Sequence, residues 1–369
     1  MASETTGTDL AMMRRLNERA VLASLWDADE ALTSTQLAEA TGLSRTTVEA
    51  VLTDLLDSSY VTVETTRTGR AGRPARRYAF DAAGGSLIAV DIGPGAITGL
   101  AGDLRGAPLT RPTRWEMDLR DPEVALSAIR AMVDALVQEG GLDAQRIDSL
   151  IVGMPAVIDP AGAPVLSHVV PAWITGDLRT GVAAAFPSVS VSFDNDTKLA
   201  AHLEAMSGSV VPGETAVLLR TGHRISAASI INGDVAMGAN GAAGEIGSLA
   251  NIGWRGARLA LTAGSADTVA EAFEAADEGD PTALDAVRAF AEQIALGAAA
   301  MALTLDPHAI ILNTTIPRSE STLPAMLQDA IARRLMFPIE FRTSELGPDA
   351  PCRGALLRSA AAVRDRLLS

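Results

Sequence analysis

Five arginines and no acidic residue fall between Arg67 and Arg77, in the run TTRTGRAGRPARR. Guanidinium groups at that density pair with phosphate oxygens, and the flat Gly72-Arg73-Pro74 tip suits a minor groove with one arginine projecting. Upstream, Ser44, Arg45, Thr46 and Thr47 open a helical pattern. Hydroxyls and a guanidinium in a first helical turn are groups that can hydrogen-bond base edges. The two stretches together read as a DNA-binding surface. Arg67, Arg70, Arg73 and Arg76 would supply affinity for phosphate, and Ser44 to Thr47 would supply specificity.

These side chains need elements to hold them. Thr33 and Gln36 have capping-box spacing ahead of a short helix, and Gly42 can end that helix with a positive φ. Ser44 caps the next helix, where Val48, Val51, Leu52, Leu55 and Leu56 form one apolar stripe that leaves Arg45 to Thr47 off it. Tyr60–Glu64 alternates like a strand, and Tyr78–Phe80 is its partner beyond the basic loop. A helix over about Met13–Asp27, packing through Leu16, Ala20, Leu25 and Trp26, completes a winged helix-turn-helix domain at 13–80, with residues 1–12 expected to be disordered. Asp81–Gly85 is the expected boundary, so this head is expected to be tethered to the body through residues 81–86.

The 369-residue chain carries a net charge of −15. Residues 1–80 hold nine Lys+Arg against eleven Asp+Glu, which leaves −13 in the remainder. Such a body is repelled by DNA, so the basic wing must provide the contact. The single cysteine, Cys352, excludes a disulfide framework and a thiolate zinc site and suits a reducing compartment. The sequence shows no signal peptide and no apolar run read as a membrane span. A cytoplasmic protein with no membrane partner is expected.

Beyond residue 86 buried strands alternate with helices. Ser86–Gly93 and Ile97–Asp103 read as a hairpin, Asp121–Glu139 as a helix with Asp121 as cap and Pro122 at its first position, and Ser149–Pro155 as a buried strand. In that helix Val124, Ile129, Met132, Val133 and Leu136 are spaced for burial. Ser190–Asp196 ends another strand, and Thr197–Ser207 is a helix. Thr215–Thr221 and Arg224–Asn232 read as a second hairpin, Pro281–Leu305 as a long helix, Ala309–Asn313 as a strand and Arg353–Leu368 as a last helix. No internal repeat is visible in the residues. The class is α/β, in two lobes.

Six landmarks occur in order: Gly72-Arg73-Pro74, VDIG at Val90–Gly93, VGMPAVID at Val152–Asp159, DND at Asp194–Asp196, GAAGEIG at Gly241–Gly247 and LDP at Leu305–Pro307. With them the chain resembles the ROK family (repressors, open reading frames, kinases), in its transcriptional-regulator branch. The resemblance implies an N-terminal winged helix-turn-helix followed by a two-lobed actin-like ATPase (ROK) fold. Lobe 1 would span 87–193, completed by a C-terminal helix at 355–369, and lobe 2 would span 194–354.

The departures from that pattern point to function. The kinases of the family read DxGGTK at the first hairpin, where this chain has Asp91-Ile92-Gly93-Pro94-Gly95-Ala96. Pro94 removes an N–H donor to phosphate. The second, glycine-rich phosphate loop reads Arg224-Ile225-Ser226, and the glycine pair under the adenosine is replaced within Asn313-Thr314-Thr315. The family's zinc histidine falls at Ser248, and its cysteines fall near Ala250, Ile252 and Ala257, so no metal is expected. The resemblance implies sugar ligands at Asn195, Asp196 and Glu245, with Asp196 at the position of the kinases' general base. Two readings of these three remain, sugar ligands or remnants that hold the cleft together.

No catalytic residue and no cofactor is expected. The reading is a sequence-specific transcriptional regulator, a repressor, acting on double-stranded operator DNA. Its non-catalytic body would sense a small-molecule effector, a sugar or a related compound, in a homodimer or dimer of dimers. The alternatives are an ATP-dependent ROK sugar kinase with a DNA-binding head, and a scaffold that only oligomerises.

Overall fold

The computed structural model describes residues 4–369 except 58–59, 67–74, 223, 263–267 and 318. The head comprises α1 (Glu4–Trp26), β1 (Leu32–Thr33), α2 (Ser34–Thr41), α3 (Arg45–Asp57), β2 (Val61–Thr66) and β3 (Ala75–Phe80). Thr33 and Gln36 form the expected capping box on α2, and Gly42 closes it at φ 71°. Val48, Val51, Leu52 and Leu55 are the buried stripe of α3. β3 lies between β1 and β2, pairing antiparallel with both, so the topology is that of a winged helix.

The first helix differs from expectation. It begins at Glu4 rather than near Met13, and its buried face is Val21, Leu22 and Leu25, with Leu16 exposed. Residues 4–12 continue the α-helix into a segment expected to be disordered. Leu10, Ala11 and Met12 favour helix and no Pro or Gly lies between Thr8 and Trp26, while the first turn continues through Gly7.

The body contains two five-stranded sheets. The first is built from β4 (Ser86–Gly93), β5 (Ala96–Asp103), β6 (Thr113–Glu116), β7 (Ile147–Met154) and β10 (Ser190–Asn195), in the order β10-β7-β4-β5-β6. Between its strands lie α4 (Pro122–Gly140), the small hairpin β8 (Val157–Ile158) and β9 (Pro164–Leu166), α5 (Pro171–Thr175) and α6 (Leu178–Ala185). Then α7 (Asp196–Ser207) leads to the second sheet, β11 (Ala216–Thr221), β12 (Ile225–Ile231), β13 (Asp234–Val235), β14 (Ala309–Thr314) and β15 (Glu340–Thr343), in the order β13-β12-β11-β14-β15. Its helices are α8 (Leu259–Thr262), α9 (Val269–Asp277), α10 (Pro281–Leu305) and α11 (Leu323–Ala332), and α12 (Ala350–Leu368) ends the chain.

Both sheets repeat one pattern, an antiparallel meander joined to two parallel strands. The repeat lies in the architecture and leaves no visible trace in the residues. α4 buries Ile129, Met132, Val133 and Leu136 as expected, but Val124 is exposed. By length and composition α10 could cross a membrane, contrary to the reading of the sequence. Here Val287, Phe290, Ala291, Ile294 and Ala298 place it in the core beneath the second sheet.

The head is docked on the body, not merely tethered to it. One continuous apolar core runs from Leu25, Leu52 and Phe80 of the head through Leu87, Leu100 and Leu104 to Leu356 and Val363 of α12. The Arg105 guanidinium donates to the main-chain oxygens of Leu25, Trp26 and Ala28, at 2.8 Å for Trp26, and stacks 5.7 Å from the Phe80 ring centre. Arg19 donates to the Leu368 carbonyl at 2.6 Å, and Arg364 pairs with Asp27 at 2.9 Å. Burying the open carbonyl end of α1 requires such donors.

Candidate nucleic-acid interface and ligand cleft

On the head, Ser44, Arg45 and Thr46 are exposed at the start of α3, while Thr47 is half-buried. The Thr47 amide donates to Ser44 Oγ at 3.1 Å, and the two hydroxyls are 2.8 Å apart. Ser44 and Thr47 thus cap the helix, which leaves Arg45 and Thr46 as its outward first turn. Arg45 pairs with Glu49 at 2.9 Å, so a base contact by Arg45 competes with an exposed ion pair worth little in water. Arg76 is exposed on β3. Arg67, Arg70 and Arg73 lie outside the described residues, as does the Gly72–Pro74 tip. Arg77 is turned inward and donates to the Ala31 carbonyl at 2.9 Å, tying the wing to the segment before α2.

The expected ligand residues lie where β10 passes into α7. Asn195 ends the strand and caps the helix, its Oδ1 accepting from the Thr197 and Lys198 amides at 3.0 Å each. Its Nδ2 donates to the Ala156 carbonyl at 3.0 Å and to Glu245 Oε1 at 3.2 Å. Asn195 and Asp196 are buried, and Glu245 is half-buried. The three residues expected to take sugar therefore share one site.

Asp196 is already engaged. Its Oδ2 pairs with the Arg224 guanidinium at 2.5 Å, and its Oδ1 accepts from the Thr197 amide at 2.7 Å. Burial pulls its pKa up, but the Arg224 and Arg220 charges and the Thr197 donors outweigh that and leave it below the usual carboxylate range. A carboxylate stabilised as the anion in this way is a poor general base. Burial and the nearby Asp196 charge raise the Glu245 pKa. Asp91, at the end of β4, has a buried Oδ1 with no hydrogen-bond partner. Burial, and then Asp196, push its pKa up to about 7. Asp91 is thus part of the charge cluster around Asp196.

On the nucleotide side, side chains and their bonds occupy the altered loops. The carbonyls of Pro94 and Gly95 accept from Leu119 and Met117 at 2.9 and 3.1 Å. Ser226 Oγ is 2.7 Å from Thr197 Oγ1. Thr315 donates its amide to the Thr221 carbonyl at 2.8 Å, and its hydroxyl would lie 2.4 Å from a Cβ placed on Gly222. Asn313 is buried and donates to Leu346 O at 2.8 Å. In the segment where the family's zinc ligands would fall, Ile252, Trp254 and Ala257 are buried, and Trp254 donates to the Ile294 carbonyl at 3.3 Å. Among the described residues no three His, Cys, Asp or Glu side chains are grouped to hold a metal.

Sequence reasoning recognised that Arg224 replaces a glycine but not that it reaches Asp196, 28 positions away. An arginine gained beside a retained carboxylate was the available signal. Arg220 and Asp91 were also missed as members of the cleft.

A winged-helix head on a body of two repeated five-stranded sheets defines the class, a DNA-binding domain on a sugar-kinase-like fold. The chain belongs to the ROK family, whose model matches residues 87–252 and 257–360. An IclR helix-turn-helix domain model matches residues 20–64. The chain is 20% identical to a xylose repressor of Bacillus subtilis (strain 168), covering 94% of this chain and 95% of that one. It is 22% identical over 236 residues to a xylose repressor of Caldicellulosiruptor bescii, covering 64% and 59% of the two chains. The solved ROK family transcriptional regulator described as a homologue of the E. coli MLC protein superposes with a TM-score of 0.66 at 18% identity, over 96% of this chain and 98% of that one. A ROK family glucokinase from Streptomyces griseus, in complex with glucose and AMPPNP, gives 0.60 at 22% identity over 74% of this chain and 98% of its own.

Proposed function

We propose that this protein is a transcriptional repressor that binds operator DNA through its winged helix and senses a sugar or related small molecule in its ROK body, without phosphorylating it. The observation that carries the reading is the Arg224–Asp196 pair. An arginine where kinases keep a phosphate-loop glycine holds the carboxylate that would otherwise activate the sugar hydroxyl. No cofactor enters this reading. Relatives named as xylose repressors over nearly the whole chain support the repressor and sugar assignments. The repressor acts in the cytoplasm as a homodimer or dimer of dimers, because one winged helix makes too few base contacts for high specificity. Ser44, Arg45, Thr46 and Thr47 with Arg67, Arg70, Arg73 and Arg76 form the DNA surface, and Asn195, Asp196 and Glu245 face the effector.

The signal passes through two helices. Asn195 and Asp196 open α7, and on the same helix the Leu199 carbonyl would lie 1.9 Å from a Cβ placed on Gly354 of α12. Only glycine permits that approach. Arg358 of α12 pairs with buried Asp194, next to Asn195, while Arg364 and the Leu368 carbonyl grip α1 of the head. A ligand that shifts α7 therefore displaces the head through α12. It changes DNA affinity only by its differential affinity for the two arrangements. The test combines fluorescence anisotropy on operator DNA, with and without D-xylose or D-glucose, and an ATP-dependent phosphorylation assay on both sugars. Operator binding, its release by a ligand and no sugar phosphate formed is the expected outcome. Phosphate transfer to either sugar would reinstate the kinase.

A further inference from the structure

A carboxylate stands in the middle of the surface proposed to face DNA, and this inference rests on that DNA-binding role. The outward face of α3 carries Arg45, Thr46, Glu49, Ala50 and Thr53, all exposed. The helix holds one arginine against Glu49, Asp54 and Asp57, so as a whole it has little attraction for phosphate. Asp54 is turned to α1, where it pairs with Arg14 at 2.5 Å. Glu49 stays on the outward face, where an unpaired carboxylate would meet the phosphate backbone and weaken binding. Its Oε1 accepts from Arg45 Nε at 2.9 Å, and the Ser34 hydroxyl of α2 donates to the same oxygen at 3.5 Å. Ser34, Glu49 and Arg45 thus form a chain across the two helices of the helix-turn-helix.

A guanidinium presents five N–H groups in one plane. Glu49 engages only Nε, and the N–H groups on the two terminal nitrogens bond to no other described residue. Competition between Glu49 and a base therefore falls on the Nε edge, while the end of the fork stays free. Two parallel N–H bonds from that end match O6 and N7 of guanine in the major groove. An arginine on an exposed helix samples many rotamers, and fixing it ahead of binding cuts the cost of ordering it. The attraction that holds the two groups together strengthens once water leaves the interface. We propose that Glu49 is a positioning residue that holds Arg45 end-on to one guanine of the operator, giving up phosphate affinity for base discrimination.

Selection of a randomised duplex library by the full-length protein supplies the motif. Fluorescence anisotropy at fixed ionic strength, on its single-base variants and on a scrambled duplex, then tests the role. Arg45→Ala identifies the position that Arg45 reads, as the guanine whose preference it abolishes. Glu49→Ala should reduce that preference about fivefold or more and leave the other positions unchanged, while binding to the scrambled duplex tightens about two- to fivefold. A merely structural role would weaken binding to both duplexes together. Glu49→Gln keeps an oxygen acceptor for Nε and should retain part of the preference. Adding Glu49→Ala to Arg45→Ala should cost nothing more at that position. A guanine preference unchanged in Glu49→Ala, or no guanine position lost in Arg45→Ala, would overturn the inference and leave DNA binding standing. Loss confined to a cytosine that Arg45→Ala leaves intact would make Glu49 a base reader itself and overturn its positioning role. If the wild-type protein selects no motif, the inference falls together with the DNA-binding role.

Discussion

The two sides of the cleft differ in how they depart from a kinase. On the nucleotide side the chain has added side chains: Pro94, Arg224, Ser226 and Thr315 stand at positions of the family's phosphate and adenosine loops, and each has a bonded partner. On the other side three of the polar residues expected for a sugar are kept, Asn195 bonded to Glu245 and sharing the Thr197 amide with Asp196. Side chains that fill open space without leaving a void keep the interior close-packed. The segment where the family resemblance would place a zinc motif follows the filled pattern, with Trp254 packed between Gly247 and Gly297.

The largest effect is expected where filling replaces a ligand. Trp254→Ala should cost about 3–5 kcal/mol in urea denaturation, as for other buried aromatics. Added zinc should not restore the loss, and a loss below about 1 kcal/mol would mean that the segment is held by something else. Next, Asp196→Ala should destabilise by about 2–3 kcal/mol, a buried-pair value reduced because Arg224 is 30% exposed. The double variant Asp196→Ala with Arg224→Ala should recover part of that. Additive losses would show that the two groups do not interact, and the contrast between the two sides would lose its central contact.

The sequence made the local elements legible and left the long-range contacts hidden. The α3 stripe, the Thr33–Gln36 box and the Pro281 start of α10 are written in spacing and caps, and the structure has each one. α9, α11 and β15 were missed. α11 starts with Leu323-Pro324 and has no side-chain cap. α9 has its capping box at Thr268 and Glu271, a signal that was present and went unread. Head docking could not be read, because Arg105 meets α1 nearly 80 residues away and only folding brings them together. The same holds for Arg224 and Asp196. That Asn195, Asp196 and Glu245 lie together was legible through family resemblance, but the charge cluster around them was not.

A third test sets the head against the body. Arg45→Ala should cost about 1–3 kcal/mol of discrimination at one or two operator positions, measured by anisotropy on a set of single-base variants. Equal weakening on every sequence would reduce Arg45 to a phosphate contact.

The smallest effect concerns Asp91. Its folded pKa of about 7 lies above its ordinary 3.8, so the stability it contributes is full below about 3.8 and is lost as pH rises through about 7. Between about pH 6 and pH 8 stability should fall by roughly 1.4 kcal/mol, and Asp91→Asn should remove that slope. A slope unchanged in the variant would assign it to another group.

In the proposed function the head reads DNA for a body that senses a ligand without transferring phosphate. The most direct measurement is to sequence the fragments that purified full-length protein retains from the sheared genome that encodes it. A few fragments should be enriched, sharing a two-fold symmetric motif with half-sites about 10 bp or a multiple apart, and Arg45→Ala should disperse them. Retained DNA indistinguishable from the input, or none retained, would contradict the account.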